Sequence, residues 1–175
     1  MNFLIISDDL SGAAGMASML GQDIPVIPFS NIEKSYDYKG EILSVDLETR
    51  NSTDALEKLD IVKKEFPGYN ILIRIDTFLR GSTMQFIEYI AGYKNIALTD
   101  TIPEYGRYTY NSYTVYGETR LDLNQIVTDR ARDKTFIFDS KTYEDLKDIA
   151  DHCLSRNLIP VDPGPLISIY LEMVR

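Results

Sequence analysis

The order of apolar segments along the chain is the feature that most limits its fold. Short apolar runs alternate with longer stretches in which apolar residues recur at helical spacing. This alternation is typical of βαβ units, in which parallel strands are joined by helices that cover the sheet. The sequence therefore predicts a three-layer α/β fold, with a mainly parallel sheet and helices on both of its faces.

Strands are predicted where the apolar runs are short, at residues 2–7, 24–28, 41–47, 69–76, 95–100, 135–139 and 158–162. Helices are predicted between them, at residues 11–20, 52–66, 82–93, 142–156 and 166–174. Ser52 and Thr142 are the expected start signals of two helices, because acidic residues follow each of them in the first turn. No repeat or linker interrupts the pattern, which predicts a single domain over residues 1–175.

A tyrosine-rich segment after the fifth predicted strand departs from this pattern. Its alternation predicts a protruding two-stranded hairpin that turns near Asn111 and Ser112. The tyrosines have two interpretations. They form a half-buried hairpin face or a dimer contact, or they line a ligand cleft.

Charge and composition exclude several classes of function. The 175 residues include 18 Lys and Arg against 27 Asp and Glu, and the resulting net charge of −9 disfavours nucleic acid and anionic membranes as partners. A single cysteine, Cys153, and a single histidine, His152, exclude an internal disulfide and a Cys/His zinc cluster. We expect no metal site. The first residues lack the basic segment of a signal peptide, so we expect a cytoplasmic protein.

Polar side chains collect where the predicted parallel strands end. Ligands of open parallel sheets bind at this edge, because the loops there converge. The side chains expected at the edge are those of Asp8, Asp9, Asp46, Arg50, Arg74, Asp76, Thr77, Arg80, Asp100 and Arg107. Guanidinium groups match a carboxylate in two parallel hydrogen bonds, and aspartates accept hydrogen bonds from hydroxyls, so such an edge suits a small hydroxylated acid. As an alternative, Arg74 and Asp76 pair with each other or with neighbours.

Several motifs, taken in chain order, carry a family resemblance. The segments of this chain read IISDDLSGAAG, SVDLETR, RIDTFLRGS, PEYGRYT and FDSKTYEDLKDIA. They resemble the motifs I-A-D-D-L-T-G-A, D-T-D-S-R, K-T-D-S-T-L-R-G-N, P-A-x-x-x-x-G-R-T-T and D-A-x-T-x-x-D-L of the four-carbon acid sugar kinases. The resemblance runs from about residue 3 to residue 166.

This resemblance implies that the chain is the amino-terminal, sugar-binding half of such a kinase. The family's enzymes phosphorylate tetronates and related sugar acids with ATP and magnesium, and their carboxyl-terminal domain supplies most of the nucleotide site. We therefore expect that ATP and magnesium are bound mainly by a domain absent from this chain or by a separate nucleotide-binding chain. The positions that match the family motifs, and so are expected to bind the substrate, are Asp8, Asp9, Arg50, Arg74, Asp76, Thr77, Arg80 and Arg107.

Several residues differ from the family motifs at positions that are expected to contact the substrate or to lie beside it. Arg74 stands where the family has lysine, and Thr77 and Phe78 replace a serine and a threonine. Ser82 replaces asparagine. Because Phe78 adds bulk without a hydroxyl, we expect the bound acid to differ in size from a four-carbon one.

Three functions remain open from the sequence. The first is the substrate-binding half of an ATP-dependent sugar-acid kinase, which is active only with a partner that binds ATP. The second is a sugar-acid sensor or regulatory module without catalysis. The third is a receiver-like signalling domain, with Asp46 as phosphate acceptor and Thr77 as switch hydroxyl, although that pattern needs a lysine where this chain has Thr99 and Asp100. A homodimer is open in all three.

Overall fold

The computed structural model describes residues 1–21 and 23–175. The chain forms two compact units, Met1–Phe86 and Ile87–Arg175, and each is described by itself.

The first unit consists of parallel strands and helices. Its elements are β1 (Phe3–Ser7), α1 (Leu10–Met19), β2 (Val26–Pro28), β3 (Ile42–Asp46), α2 (Ala55–Glu65), β4 (Asn70–Arg74) and the first residues of α3 (Thr83–Ala91). The strands are ordered β2-β3-β1-β4 and all pairs are parallel. A 3-10 helix, Phe29–Asp37, follows β2.

Burial explains why these strands appear as continuous apolar runs. Every residue of β1 and β3 is buried, as expected for central strands that are covered on both faces. In the register of this pair, Ser7 lies opposite Asp46, so the two strands end at the same level. The residues that follow them therefore emerge at one edge of the sheet.

The second unit contains a parallel and an antiparallel set of strands. Its elements are β5 (Asn95–Leu98), β6 (Tyr108–Tyr110), β7 (Tyr113–Tyr116), β8 (Thr119–Asp122), β9 (Thr135–Ile137), α4 (Tyr143–Arg156), β10 (Leu158–Asp162) and α5 (Pro165–Val174). The parallel strands are ordered β10-β5-β9, and β6, β7 and β8 pair antiparallel in that order. Short 3-10 helices lie at Pro103–Tyr105, Leu123–Ile126 and Arg132–Lys134.

The core of the second unit contains the cysteine. Cys153 on α4 is fully buried among apolar residues that include Leu146 and Leu166. Burial raises the pKa of its thiol to about 12. Its interpretation as a small core residue is confirmed. The neighbouring His152 packs edge-on against Phe138, with 5.5 Å between ring centroids.

The predicted fold class is confirmed, with parallel strands, helices and an antiparallel hairpin after the fifth strand. The hairpin turns at Asn111 and Ser112, whose φ angles of 49° and 63° suit such a tight turn. β6 and β7 form the predicted two-stranded hairpin, and β8 adds a third strand that was not predicted. The prediction of a single domain over residues 1–175 stays a prediction.

The two predicted helix starts have different outcomes. Thr142 caps α4 in a capping box, because its side chain accepts a hydrogen bond from Asp145 N–H while the Asp145 carboxylate accepts one from Thr142 N–H. Ser52 does not cap α2. Asp54 precedes the first helical residue, and the Ser52 hydroxyl donates to the Asp54 carboxylate instead.

Within residues 1–21 and 23–175, every helix is too short or too polar to cross a bilayer.

Candidate functional site

The chain segments that follow β1, β3 and β4 bring acidic and basic side chains into direct contact. We call this group the Asp–Arg cluster; its members are Asp8, Asp9, Arg50, Asp76 and Arg80. Positions that are far apart in the sequence meet here because their parallel strands end at the same edge. The predicted convergence of these five residues at the end of the sheet is therefore observed.

Arg50 lies at the centre of the cluster. Its guanidinium donates from Nε and Nη2 to both carboxylate oxygens of Asp8. Its Nη2 also lies 3.1 Å from an oxygen of Asp9 and 3.1 Å from Oδ1 of Asp76. Hydrogen bonding to Asp8 and the nearby negative charges raise the pKa of Arg50, so its charge is fixed at any physiological pH.

Asp76 is shared between two arginines. Arg80 donates to its two oxygens from Nε at 2.8 Å and from Nη2 at 3.1 Å, and the N–H groups of Phe78 and Arg80 also donate to it. Burial alone would raise the pKa of this carboxyl, but these hydrogen bonds and Arg50 lower it to about 2. Arg80 itself is 58% exposed at its side chain and keeps donors for a ligand.

Asp9 has a structural role as well as a place in the cluster. Its carboxylate caps α1 by accepting from Gly12 N–H at 2.8 Å, and it also accepts from the Ser11 hydroxyl at 2.7 Å. Burial opposes its ionisation, but these hydrogen bonds and the charges of Arg50 and Arg74 lower its pKa. The charged form is therefore favoured in the folded chain.

Two glycines allow the charged groups to approach the backbone. A Cβ atom on Gly12 would lie 2.6 Å from Nη1 of Arg74, and a Cβ atom on Gly81 would overlap the Asp8 carboxylate. Gly81 also has a φ of 64°, which glycine adopts without strain. The half-buried Arg74 thus lies against the first turn of α1, and half-buried Thr77 directly follows Asp76.

A cavity of about 390 Å³ opens beside the cluster in the first unit. It is lined by Asp8, Asp9, Leu10, Asp46, Glu48, Arg50, Asn51 and Ser52. This volume suits a small molecule. Burial and the neighbouring carboxylates of Glu48, Asp9 and Asp8 raise the pKa of Asp46, although the Glu48 N–H donates to it.

Arg107 lies in the second unit and is 3% exposed. It donates from Nε at 3.0 Å and from Nη2 at 2.6 Å to the two oxygens of Asp100, which is fully buried. The Thr114 hydroxyl donates to the same carboxylate at 2.7 Å. This Asp100–Arg107 pair joins the end of β5 to the hairpin. It is not part of the Asp–Arg cluster, and the assignment of Arg107 to the substrate stays a prediction.

A second cavity, of about 440 Å³, lies in the second unit. Its lining includes the rings of Tyr108 and Tyr110 and the carboxylates of Asp139 and Asp145. Asp139 accepts hydrogen bonds from backbone N–H groups in the hairpin turn, and Asp145 accepts them at the start of α4. The described residues that line this cavity include no arginine to hold a carboxylate, so we place the candidate site at the Asp–Arg cluster.

Several contributors to this site were expected at this edge of the sheet but were not among the residues predicted to bind the substrate. Glu48 and Asp46 line the cavity, and Gly12 and Gly81 make room for the cluster. Glu48 and Asp46 were visible in the sequence as acidic residues at the end of a predicted strand. Gly81 had a weaker signal, which is its position directly after an arginine in the turn between a strand and a helix.

A family comparison decides what kind of domain this is. Residues 3–131 match the family of sugar-binding N-terminal domains. The chain belongs to this family. The resemblance to the four-carbon acid sugar kinases is thereby confirmed. A search of curated proteins found no match.

Solved structures with the fold of this sugar-binding domain share little sequence with it. A Bordetella bronchiseptica protein, described as a domain of unknown function (DUF1537) with bound citrate in a domain-swapped dimer, has a TM-score of 0.79 at 14% identity; the match covers 99% of this chain and 56% of that one. Haemophilus influenzae protein HI1011, of the same DUF1537 family, has a TM-score of 0.73 at 13% identity, with 99% and 57% covered. A putative tRNA synthase from Salmonella typhimurium LT2 has a TM-score of 0.68 at 13% identity, with 97% and 55% covered. The sugar-binding domain therefore spans little more than half the length of these chains.

Proposed function

We propose that this chain is the substrate-binding half of an ATP-dependent sugar-acid kinase and that it binds a small hydroxylated carboxylic acid at the Asp–Arg cluster. The observation that carries the proposal is the cavity in which Asp8, Asp9 and Arg50 converge. Aspartates accept hydrogen bonds from sugar hydroxyls, and guanidinium groups hold a carboxylate. The citrate bound to the Bordetella protein supports an acid ligand in this family.

ATP and magnesium are assigned in this proposal to a second domain or a partner chain. Magnesium prefers carboxylate oxygens and water, and residues 1–21 and 23–175 contain no group of three or more His, Cys, Asp or Glu arranged to hold a metal ion. The amino termini of α1 and α5 are occupied by the chain's own Asp9 and Asp162 carboxylates. These helix ends therefore have less capacity to bind a phosphate.

The role of this chain in phosphoryl transfer would be to position the acceptor. Such transfer depends mostly on alignment and charge neutralisation. Asp9, fixed by its bonds to α1 and to Arg50, would accept a hydrogen bond from a substrate hydroxyl without moving. Arg80, fixed by Asp76, would direct its remaining donors to the substrate carboxylate.

The experiment that tests the proposal is a thermal shift assay of the full chain with aldonates of four to six carbons. We expect a higher melting temperature with at least one of them, because a ligand that binds only the folded state stabilises it. ATP turnover by the chain alone is not expected, and turnover after addition of a separate nucleotide-binding domain would distinguish the kinase half from a sensor. The absence of any shift across the panel would contradict the proposal.

Arg80→Ala tests the carboxylate contact. Loss of a hydrogen bond between charged groups should weaken aldonate binding at least about tenfold in a calorimetric titration. Arg130→Ala is the matched control, because Arg130 is an exposed arginine that pairs with Glu88 in the second unit. Unchanged affinity in Arg80→Ala would remove this role.

The receiver alternative is tested with acetyl phosphate. Asp46 lines the same cavity as Asp8 and Asp9, so the acidic side chains that a receiver would need are present. After incubation with acetyl phosphate, the mass of the intact chain is measured. Only a receiver domain should gain the mass of one phosphoryl group, and we expect no gain.

A homodimer is a further proposal. The hairpin exposes Tyr110, Tyr113 and Tyr116, and Tyr105 is exposed in the 3-10 helix before it. Exposed aromatic groups favour protein contacts. The domain-swapped dimer of the Bordetella protein supports self-association in the family. Sedimentation velocity of the chain and of its Tyr110→Ser variant tests for this homodimer.

A further inference from the structure

We propose that Glu48 makes this cavity select acids with one carboxylate and a hydroxylated tail over acids with a carboxylate at both ends. The inference rests on the proposed function and adds the feature that rejects related ligands. It depends on three properties of Glu48: its backbone conformation, its anchoring and the charge of the groups around it.

The backbone of Glu48 is in an unfavourable conformation. Its φ of 54° lies in the left-handed region, which residues with a Cβ atom adopt at a cost. Such residues persist where the surroundings hold them, and they concentrate at functional sites. The strand β3 ends at Asp46, so this conformation belongs to the turn that follows it.

Several hydrogen bonds hold Glu48 in place. Ser30 donates to the two oxygens of its carboxylate, from the hydroxyl at 3.0 Å and from N–H at 3.2 Å. The Glu48 N–H donates to Asp46 at 2.8 Å, and its carbonyl oxygen accepts from Nζ of Lys58 at 3.0 Å. Lys58 therefore bonds to the backbone of Glu48 and not to its carboxylate. Glu48 lines the cavity, and its carboxylate oxygens keep acceptor capacity beyond the two bonds from Ser30.

The charged groups that line the cavity are mostly acidic. Asp8, Asp9, Asp46 and Glu48 face a single guanidinium, that of Arg50, which is already bonded to Asp8 and Asp9. Asp46 and Glu48 form the part of the lining in which no arginine bond to either carboxylate is observed among the described residues. Burial, together with this crowding of negative charge, raises the pKa of Asp46.

This arrangement distinguishes the two ends of a ligand. A hydroxyl group can donate to Glu48 or Asp46, whereas a second carboxylate at the same place would meet like charge. Like charges brought together across a binding surface suppress wrong partners. The acidic part of the cavity therefore accepts the hydroxylated tail. The single ligand carboxylate is left to Arg50, in the lining, and to Arg80, in the Asp–Arg cluster.

The test compares threonate, which has one carboxylate, with tartrate, which has two. If a longer aldonate binds better in the aldonate panel, that aldonate and the dicarboxylate of the same length replace them in every comparison. We expect the wild-type chain to bind threonate at least about tenfold more tightly than tartrate at pH 7. Glu48→Gln removes the charge but keeps the size, and it should reduce this preference at least about fivefold. Glu48→Asp keeps the charge and should keep the preference. Glu57→Gln is the control, because Glu57 is exposed on the first turn of α2.

Each outcome bears on the inference. An equal preference in the wild type and Glu48→Gln would overturn the role of Glu48, while threonate binding in both would leave the proposed function standing. Tighter binding of tartrate by the wild type would overturn the inference in the same way. If the wild type binds no acid of the aldonate panel, the proposed function fails first. Urea denaturation of each variant verifies that it is folded.

Discussion

The Asp–Arg cluster of the first unit and the Asp100–Arg107 pair of the second contain the same residue types near strand ends, but they differ in exposure and connectivity. In the pair, one arginine faces one aspartate, and both are almost fully buried. In the cluster, Arg50 contacts three aspartates, and Arg80 shares one of them while its side chain stays 58% exposed.

This difference in exposure and connectivity distinguishes a structural ion pair, Asp100–Arg107, from a candidate binding site, the Asp–Arg cluster. The two charges of the buried pair face each other, and the Thr114 hydroxyl is an additional donor to Asp100. The cluster adjoins a cavity and retains exposed donors and acceptors. Residue type and position at a strand end are therefore insufficient to identify a site. A binding site is distinguished from a structural ion pair by access to solvent and by unused hydrogen-bonding capacity.

The largest expected effect is on the buried pair. Arg107→Met should lower the free energy of unfolding by about 3 to 5 kcal/mol, because it leaves the buried Asp100 carboxylate without its guanidinium. Urea denaturation measures the change. Arg130→Met is the control, since that exposed pair with Glu88 should contribute little. A loss of less than about 1 kcal/mol in Arg107→Met would contradict the structural role.

The next effect concerns the close approach in the cluster. Gly81→Ala should cost roughly 3 kcal/mol, because the new Cβ adds left-handed strain and displaces the Asp8 carboxylate. Gly117→Ala is a matched control. Gly117 has a φ of 56°, and a Cβ atom added there would meet no atom of the described residues within 4 Å, so this variant should show the strain alone, about 1 kcal/mol. Equal losses in the free energy of unfolding of the two variants would mean that the close approach to Asp8 adds nothing to the cost of Gly81→Ala.

Acid should weaken the cluster. The pKa of Asp76 is lowered to about 2 in the folded chain, so the unfolded chain binds the proton more readily. The resulting stabilisation, roughly 2 kcal/mol, is fully present above about pH 4 and is lost as the pH falls through the folded value. Urea denaturation of the wild type and Asp76→Asn at pH 7 and pH 3 measures it. The same pH dependence in both proteins would exclude Asp76 as its origin.

The smallest expected effect is the difference in stability lost when each of two hydroxyl–carboxylate hydrogen bonds of 2.7 Å is removed. Thr114→Val removes the bond to buried Asp100 and should cost about 1.5 kcal/mol, the lower value for a hydrogen bond to a charged group. Ser11→Ala removes the exposed bond to Asp9 and should cost less than about 0.5 kcal/mol, because water replaces it. Equal losses in thermal or urea denaturation would remove the contrast between the two regions.

Much of the fold was predictable because buried parallel strands need continuous apolar runs. The strand predicted at residues 158–162 coincides with β10, and that at residues 2–7 differs from β1 by one residue. The third hairpin strand was missed. Its sequence, TRLD, carries charged residues and is only partly buried, so no apolar alternation marks it. The 3-10 helix Phe29–Asp37 likewise lacks a pattern that distinguishes it from a loop.

The meeting of Arg50 with Asp76 was predictable from the sheet, because parallel strands deliver their following residues to one edge. Which aspartate each arginine contacts was not predictable from the sequence. Whether an arginine at this edge faces a ligand or is buried against one aspartate, as Arg107 is, depends on the packing of the hairpin. The left-handed conformation of Glu48 gave no sequence signal either, since glutamate rarely adopts it.

The bond between the Asp9 carboxylate and the Gly12 amide has a consequence for how occupancy could be observed. Asp9 also lines the cavity, so a substrate hydroxyl bound there would share its carboxylate with the first turn of α1. Exchange of the Gly12 amide hydrogen with solvent deuterium should therefore change when a ligand is added. This backbone amide would then report binding without any label on the ligand or change to the protein.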